Sequence, residues 1–444
     1  MDIPIQRPAA PAGAAPITVS GLGGLARGGV PLWLPLPFLL TGVVGAALFG
    51  AALPFVAPEA LLAPGFPHVL ALVHIVTLGW LTMTIMGASL QLAPVILVSP
   101  LRGARFARAQ YPVYLLGVAL LVSGFWLSNL TLLIAGGSLV LIAVAHYVAI
   151  LGLTIARATT RPLTARYLVA AQVYLCVVVS LGFTAALNFR FGFLGAGLSR
   201  LLLAHVTIGV VGWLTCTLIG VSYTLTRLFA LAHGHSDQLG RALFWPLNAG
   251  IAGLALGFSL DWKPLEVVGG LSLIAAVWLF AVDERRMLRA RKRRPLDVTQ
   301  YHAIAAVGYL VATVTVGVGV AALAGGAEPV LVALGLAALV GWLGQSTLGY
   351  LYKITPFLIW QSRYGPLAGR QPVPLMRDLV HQRAAWLSFW LINGALPLAL
   401  TFAALDWPVP LEIASAGLGA GLIIACANVI GVVIPRKAAT RPTV

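Results

Sequence analysis

A chain of 444 residues that is 60% hydrophobic and only 9% charged cannot fold as a water-soluble globule, because too little charge is present to cover so much apolar surface. Runs of about 20 apolar residues, the length that crosses a bilayer core as helix, recur along it, so the chain is expected to be an all-α polytopic membrane protein. A net charge of +16 would suit a nucleic-acid partner, but the placement of that charge follows a bilayer and excludes one.

In chain order, residues 1–30 are rich in Pro, Ala and Gly and are expected to form a flexible cytoplasmic tail, without the compact apolar core and cleavage site of a signal peptide. Twelve spans follow, near 31–56, 68–96, 111–128, 130–156, 165–188, 200–230, 242–260, 265–288, 301–324, 329–360, 384–405 and 409–434, before a cytoplasmic tail at 436–444. With both ends cytoplasmic, all but three of the 28 Lys and Arg fall on the cytoplasmic side, including "RRMLRARKRR" at 285–294. Arg190, Arg200 and Lys263 stay outside with Glu59, Asp261, Glu266, Glu328, Asp406 and Glu412. That asymmetry is the positive-inside distribution of a cell (inner) membrane protein, and it brings the basic loops to anionic headgroups. The partner implied is the lipid bilayer. Cys176, Cys216 and Cys426 fall in separate spans without disulfide or zinc spacing and are expected to be small buried packing residues.

One phrase occurs three times. The second span reads "GWLTMTIMGASLQLAP" (79–94), the sixth "GWLTCTLIGVSYTLTR" (212–227) and the tenth "GWLGQSTLGYLYKITP" (341–356). The shared frame is Gly79, Trp80, Thr84 and Gly87; Gly212, Trp213, Thr217 and Gly220; Gly341, Trp342, Ser346 and Gly349. The starts are four spans apart each time, which predicts three pseudo-symmetric four-helix repeats at 31–160, 161–295 and 296–435. At about 100° per residue the Trp, the hydroxyl and the second Gly share one face, a helix-packing motif in which small residues admit a close backbone approach.

Histidines mark the outer halves of two of these helices. His74 and His205 lie at similar depths, about 9–12 Å below the outer surface. Relative to the Gly-Trp face they fall on opposite sides, about 120° and 80° away. Each is either an axial ligand to heme iron or an imidazole bonded to a neighbouring carbonyl or hydroxyl. His68 follows Pro67 at the membrane surface, and His146 lies within the fourth span. His233, His235, His302 and His381 are expected to be solvated in a loop or at cytoplasmic helix entries. No buried Asp or Glu suited to a proton relay is expected in the spans. Lys353, about 36 Å along its span, is expected to snorkel. "YKITPFLIWQSRYG" (352–365) reads as an interfacial belt, and Gln172, Asn248 and Asn393 as bonds across helices.

Twelve spans, cytoplasmic ends, a four-helix period and "HVLALVHIVTLGW" with "AHVTIGVVGW" together resemble the heme–copper oxidase subunit I superfamily, which includes the membrane nitric oxide reductases, with NnrS-type proteins as divergent relatives. The resemblance implies b-type heme, with ligation by His74, His205 or, less buried, His68, and with His74 and His205 as the metal-ligating pair. It implies electron transport or handling of nitric oxide or oxygen in respiration, beside other respiratory or denitrification subunits. If the chain is an enzyme, it is an oxidoreductase of that type. The seventh and tenth spans lack the family's histidines, so copper and a high-spin heme have no complete ligand set. A permease built from repeated bundles and a scaffold subunit without cofactor are the alternatives.

Overall fold

The computed structural model describes residues 30–435 except 233, 293–294 and 324–327. The expected tails at 1–29 and 436–444, His233, and the last two arginines of the basic run lie outside the described residues. Among the described residues, twelve helices are long and apolar enough to cross a membrane: α1 Pro35–Leu62, α2 Pro67–Ile96, α3 Ala104–Trp126, α4 Leu130–Ala156, α5 Leu163–Phe191, α6 Gly197–Ala230, α7 Gln238–Leu260, α8 Lys263–Arg289, α9 Val298–Ala321, α10 Glu328–Leu367, α11 Gln382–Ala404 and α12 Pro408–Gly431. No strand occurs among the described residues. The twelve expected spans are all present. Helix α3 starts earlier than hydropathy suggests because its first two turns carry exposed Arg105 and Arg108 while Ala107 and Gln110 are buried beneath them.

Local chemistry fixes the ends of these helices. Pro35, Pro67 and Pro408 open α1, α2 and α12, where a missing N–H costs nothing. Asn129 caps α4 by accepting the Thr131 and Leu132 N–H groups at 3.0 and 3.1 Å. One tight turn is used three times. Ser128, Asp261 and Asp406 take left-handed conformations (φ 51°, 54° and 56°) at the far ends of α3, α7 and α11. The next residue in each case returns its N–H to a carbonyl five positions back, Asn129 to Gly124 at 2.7 Å, Trp262 to Gly257 at 2.9 Å and Trp407 to Phe402 at 2.9 Å. That 6→1 bond satisfies an end carbonyl and turns the chain back as a hairpin.

The closest helix pairs are α3–α4, α7–α8, α12–α1 and α11–α12, and with α4–α5 and α8–α9 they form three outer arcs, α3–α4–α5, α7–α8–α9 and α11–α12–α1. Helices α2, α6 and α10 stand inside these arcs. Their first turns pack on α3, α7 and α11, their middles on α1, α5 and α9, and their last turns on α4, α8 and α12. Each inner helix passes through a π-helical segment, where backbone bonds reach five residues instead of four: Ile75–Thr82, Ile208–Thr215 and Ala337–Gly344. All three segments begin four residues before the Gly-Trp glycine and end three after it.

The glycines of the phrase face the preceding helix, whereas the tryptophans face the interior. A Cβ on Gly87 would lie 2.6 Å from Phe38 Cβ, and one on Gly349 would lie 2.9 Å from His302 Cβ; Gly220 meets Tyr167 in the same way. Seven residues further along the same outer helices, Tyr174 and Tyr309 sit on Gly212 and Gly341, at 2.8 and 2.6 Å from the missing Cβ, and Gly45 abuts Gly79. The predicted single face therefore divides between two contacts, because the π segment rotates the tryptophan relative to the second glycine.

Candidate functional site

On the side remote from the chain's ends, His74 Nδ1 lies 2.7 Å from the Leu70 carbonyl of its own helix, and His205 Nδ1 lies 3.0 Å from the Val178 carbonyl of α5. A carbonyl only accepts, so each Nδ1 carries the proton and each Nε2 is left with its lone pair. The His74 ring stacks on Phe125 of α3, with centroids 4.9 Å apart and planes at 27°. Gly182 of α5 makes room for the His205 ring, since a Cβ there would be 2.9 Å from Cε1. His68 is held apart from these two histidines at the surface, where Nδ1 meets Glu59 Oε2 at 3.1 Å and the ring lies 4.6 Å from Trp126.

Between the inner helices, Trp213 Nε1 donates to Thr82 Oγ1 at 3.0 Å, and Trp342 Nε1 donates to Thr215 Oγ1 at 2.9 Å. The third corner differs. Gly344 stands where Thr82 and Thr215 stand, a Cβ on it would lie 2.7 Å from Trp80 Cη2, and Trp80 Nε1 is buried without a partner. Toward the chain-end side of this ring lies a cavity of about 40 Å³ among Thr84, Ser89, Thr217, Thr347 and Tyr350. That volume holds a few waters at about 10–15 Å³ each. Thr84 Oγ1 is buried beside it without a partner, Thr217 donates to the Trp213 carbonyl at 2.6 Å, and Ser346 is buried.

Sequence reasoning missed the acids below the cavity. Asp283 and Glu284 of α8 are 1% and 3% exposed, which corrects the expectation that the spans lack buried carboxylates. Asp283 accepts from Tyr223 at 3.1 Å and pairs with His235 at 2.9 Å. Glu284 Oε1 accepts from Thr226 at 2.7 Å, while Oε2 is buried with no donor. Ser222, beside Tyr223 in sequence, lies 2.6 Å through its hydroxyl from that of Tyr350 in the cavity wall. The adjoining "RRMLRARKRR" run made both acids look like surface residues, and only the packing of α6 on α8 reveals them.

No family model and no curated protein matches this chain.

Several placements correct the expectations from sequence. His302 is fully buried rather than solvated. Its Nδ1 meets Gln345 Oε1 at 3.1 Å, Gln345 and Asn393 exchange two bonds at 3.0 Å, and its Nε2 has no partner. His235 lies against Asp283 as just described, with a side chain 10% exposed. Only His381 stands at a helix entry as expected, accepting the Ala384 N–H at 3.2 Å. Lys353 reaches the entry of α9 and pairs there with the partly exposed Asp297. Tyr352 is buried against Ser388 at 3.1 Å, not interfacial. Asn248 accepts from Tyr174 across helices at 2.8 Å, whereas the buried Gln172 amide makes no well-formed bond. Cys216 and Cys426 are buried, but Cys176 is exposed on α5. His146 is exposed on α4, bonded only to the Ile142 carbonyl at 3.1 Å. Among the described residues, no cluster of three or more His, Cys, Asp or Glu side chains is arranged to hold a metal ion.

Proposed function

We propose that the chain is a divergent, heme-binding relative of the heme–copper oxidase core subunit, embedded in the cell membrane with both ends cytoplasmic. Its architecture on this reading is three four-helix repeats about a pseudo-threefold axis. The recurring helix pairings, the three π segments in one register and the repeated left-handed turn support that reading.

The observation that carries heme binding is the matched state of His74 and His205. Each has Nδ1–H held by a backbone carbonyl, the outer-shell arrangement that orients a metal-ligating imidazole and raises its basicity. The two Nε2 lone pairs fit a b-type heme, which His74 and His205 would hold. Such a group, when bound, would supply one-electron transfer. Phe125 and Gly182 fix the ring planes, and the surrounding apolar helices exclude water. His68, engaged by Glu59, is a surface residue on this reading.

Absorbance of the purified protein, expressed with heme supplied, tests the proposal. A Soret band that is shifted or lost in both His74→Ala and His205→Ala is the expected result. Colourless wild-type protein overturns it and leaves a scaffold without cofactor. A second reading, a permease with its pathway between α2, α6 and α10, is favoured by the central cavity and by the buried Glu284, whose Oε2 has no donor. Colourless protein that moves a solute into vesicles would establish it.

A further inference from the structure

A groove of about 430 Å³ opens between the start of α1 and the start of α3, within the range of about 300–1,000 Å³ typical of small-ligand sites. Trp33, Leu34 and Pro37 form one wall, and Arg108, Tyr111 and Pro112 the other. The walls offer few polar groups. Pro37 and Pro112 have no N–H, and the Tyr111 hydroxyl is already bonded to Thr41 at 2.7 Å. The Arg108 guanidinium, 5.4 Å from the centre of the Trp33 ring, is the one charge lining the groove among the described residues. An occupant must therefore be apolar over most of its body and anionic at one end.

The charge around the groove narrows the choice. Arg102, Arg105 and Arg108 are exposed along one short stretch, beside Trp33 and Phe106, which are 50% and 63% exposed. No Asp or Glu occurs anywhere between Glu59 and Asp237, and none of these three arginines makes an ion pair among the described residues. Exposed aromatics at a helix entry mark the headgroup level of a bilayer, where the available anions are lipid phosphates.

We infer that this groove binds one anionic phospholipid of the leaflet at the chain-end side, its phosphate on Arg108 and its upper acyl chain along Trp33, Pro37 and Pro112. The site is independent of the heme proposal. A guanidinium near a phosphate surface contributes about 1 kcal/mol, or about five-fold in affinity.

Native mass spectrometry of the full chain in detergent tests this, with added dioleoylphosphatidylglycerol or dioleoylphosphatidylcholine. One phosphatidylglycerol should be retained about five-fold more tightly than phosphatidylcholine. Arg108→Gln should erase that preference, while Arg157→Gln, exposed at the same side but outside the groove, should keep it. An unchanged melting temperature for Arg108→Gln in lipid-free detergent separates lost binding from lost fold. Three results would overturn the inference: equal retention of both lipids by the wild type, equal losses in the two arginine variants, or retention that emerges only when residues 1–28 are removed. The last would give the groove to the chain's own N-terminal segment.

Discussion

Trp213 of α6 and Thr82 of α2 are joined by a 3.0 Å hydrogen bond, and Trp342 of α10 makes the same bond to Thr215 of α6, so α6 is tied to both other inner helices. Trp80, the third indole, is equally buried but has no acceptor. Hydrogen bonds between membrane helices are worth about 0.6 kcal/mol on average and at most about 1.7. A double-mutant cycle of Trp213→Phe with Thr82→Val, read by thermal unfolding in detergent, should give a coupling in that range. The same cycle on Trp80 and Gly344, using Trp80→Phe and Gly344→Ala, tests steric contact alone and should show no hydrogen-bond component.

Gly344 is the tightest point of the ring. A methyl group there meets the Trp80 ring at 2.7 Å, and both lie in a packed interior. Overpacking of this kind costs about 1–3 kcal/mol. Gly344→Ala should lower the melting temperature, and adding Trp80→Leu should recover part of the loss. A neutral Gly344→Ala would show that the ring has slack the structure does not contain.

Asp283 is buried and bonded to both Tyr223 and the part-buried His235, so removing it strands two donors. Asp283→Ala should cost about 3 kcal/mol. Glu284→Gln should be nearly silent in the same unfolding assay, because the amide oxygen can keep the Thr226 bond. Equal losses in both variants would contradict the different partnering of the two carboxylates.

Gly182 offers a test of the outer histidines that leaves every imidazole in place. Gly182→Leu forces the His205 ring away from its seat, since even a Cβ comes within 2.9 Å. On the heme proposal the ratio of heme to purified protein should fall by at least half, while Gly152→Leu, on open space in α4, should leave it unchanged.

The number of spans and the inner helices were legible from hydropathy and from the thrice-repeated phrase, because lipid enforces both apolar length and internal hydrogen bonding. Side-chain directions near the phrase were not. A constant 100° per residue assumes an unbroken α-helix, and the π segments at 75–82, 208–215 and 337–344 break it between each histidine or leucine above and the glycine below. The placements of Asp283, Glu284 and His302 failed for another reason. Each lies next to polar or basic residues in sequence, but its side chain points inward between helices that meet only in three dimensions, α8 with α6 and α9 with α10 and α11. The outer histidines were visible as residue types, yet their bonded carbonyls, Leu70 and Val178, carry no signature in sequence.

The outer arc α11–α12–α1 brings the twelfth span back onto the first, with Gly50 of α1 seated on the backbone of Gly419 in α12. During synthesis α1 emerges more than three hundred and fifty residues before that partner exists. Until then its flat side has only lipid for company, and a product that stops short of α12 would present that bare strip to whatever neighbours it in the membrane.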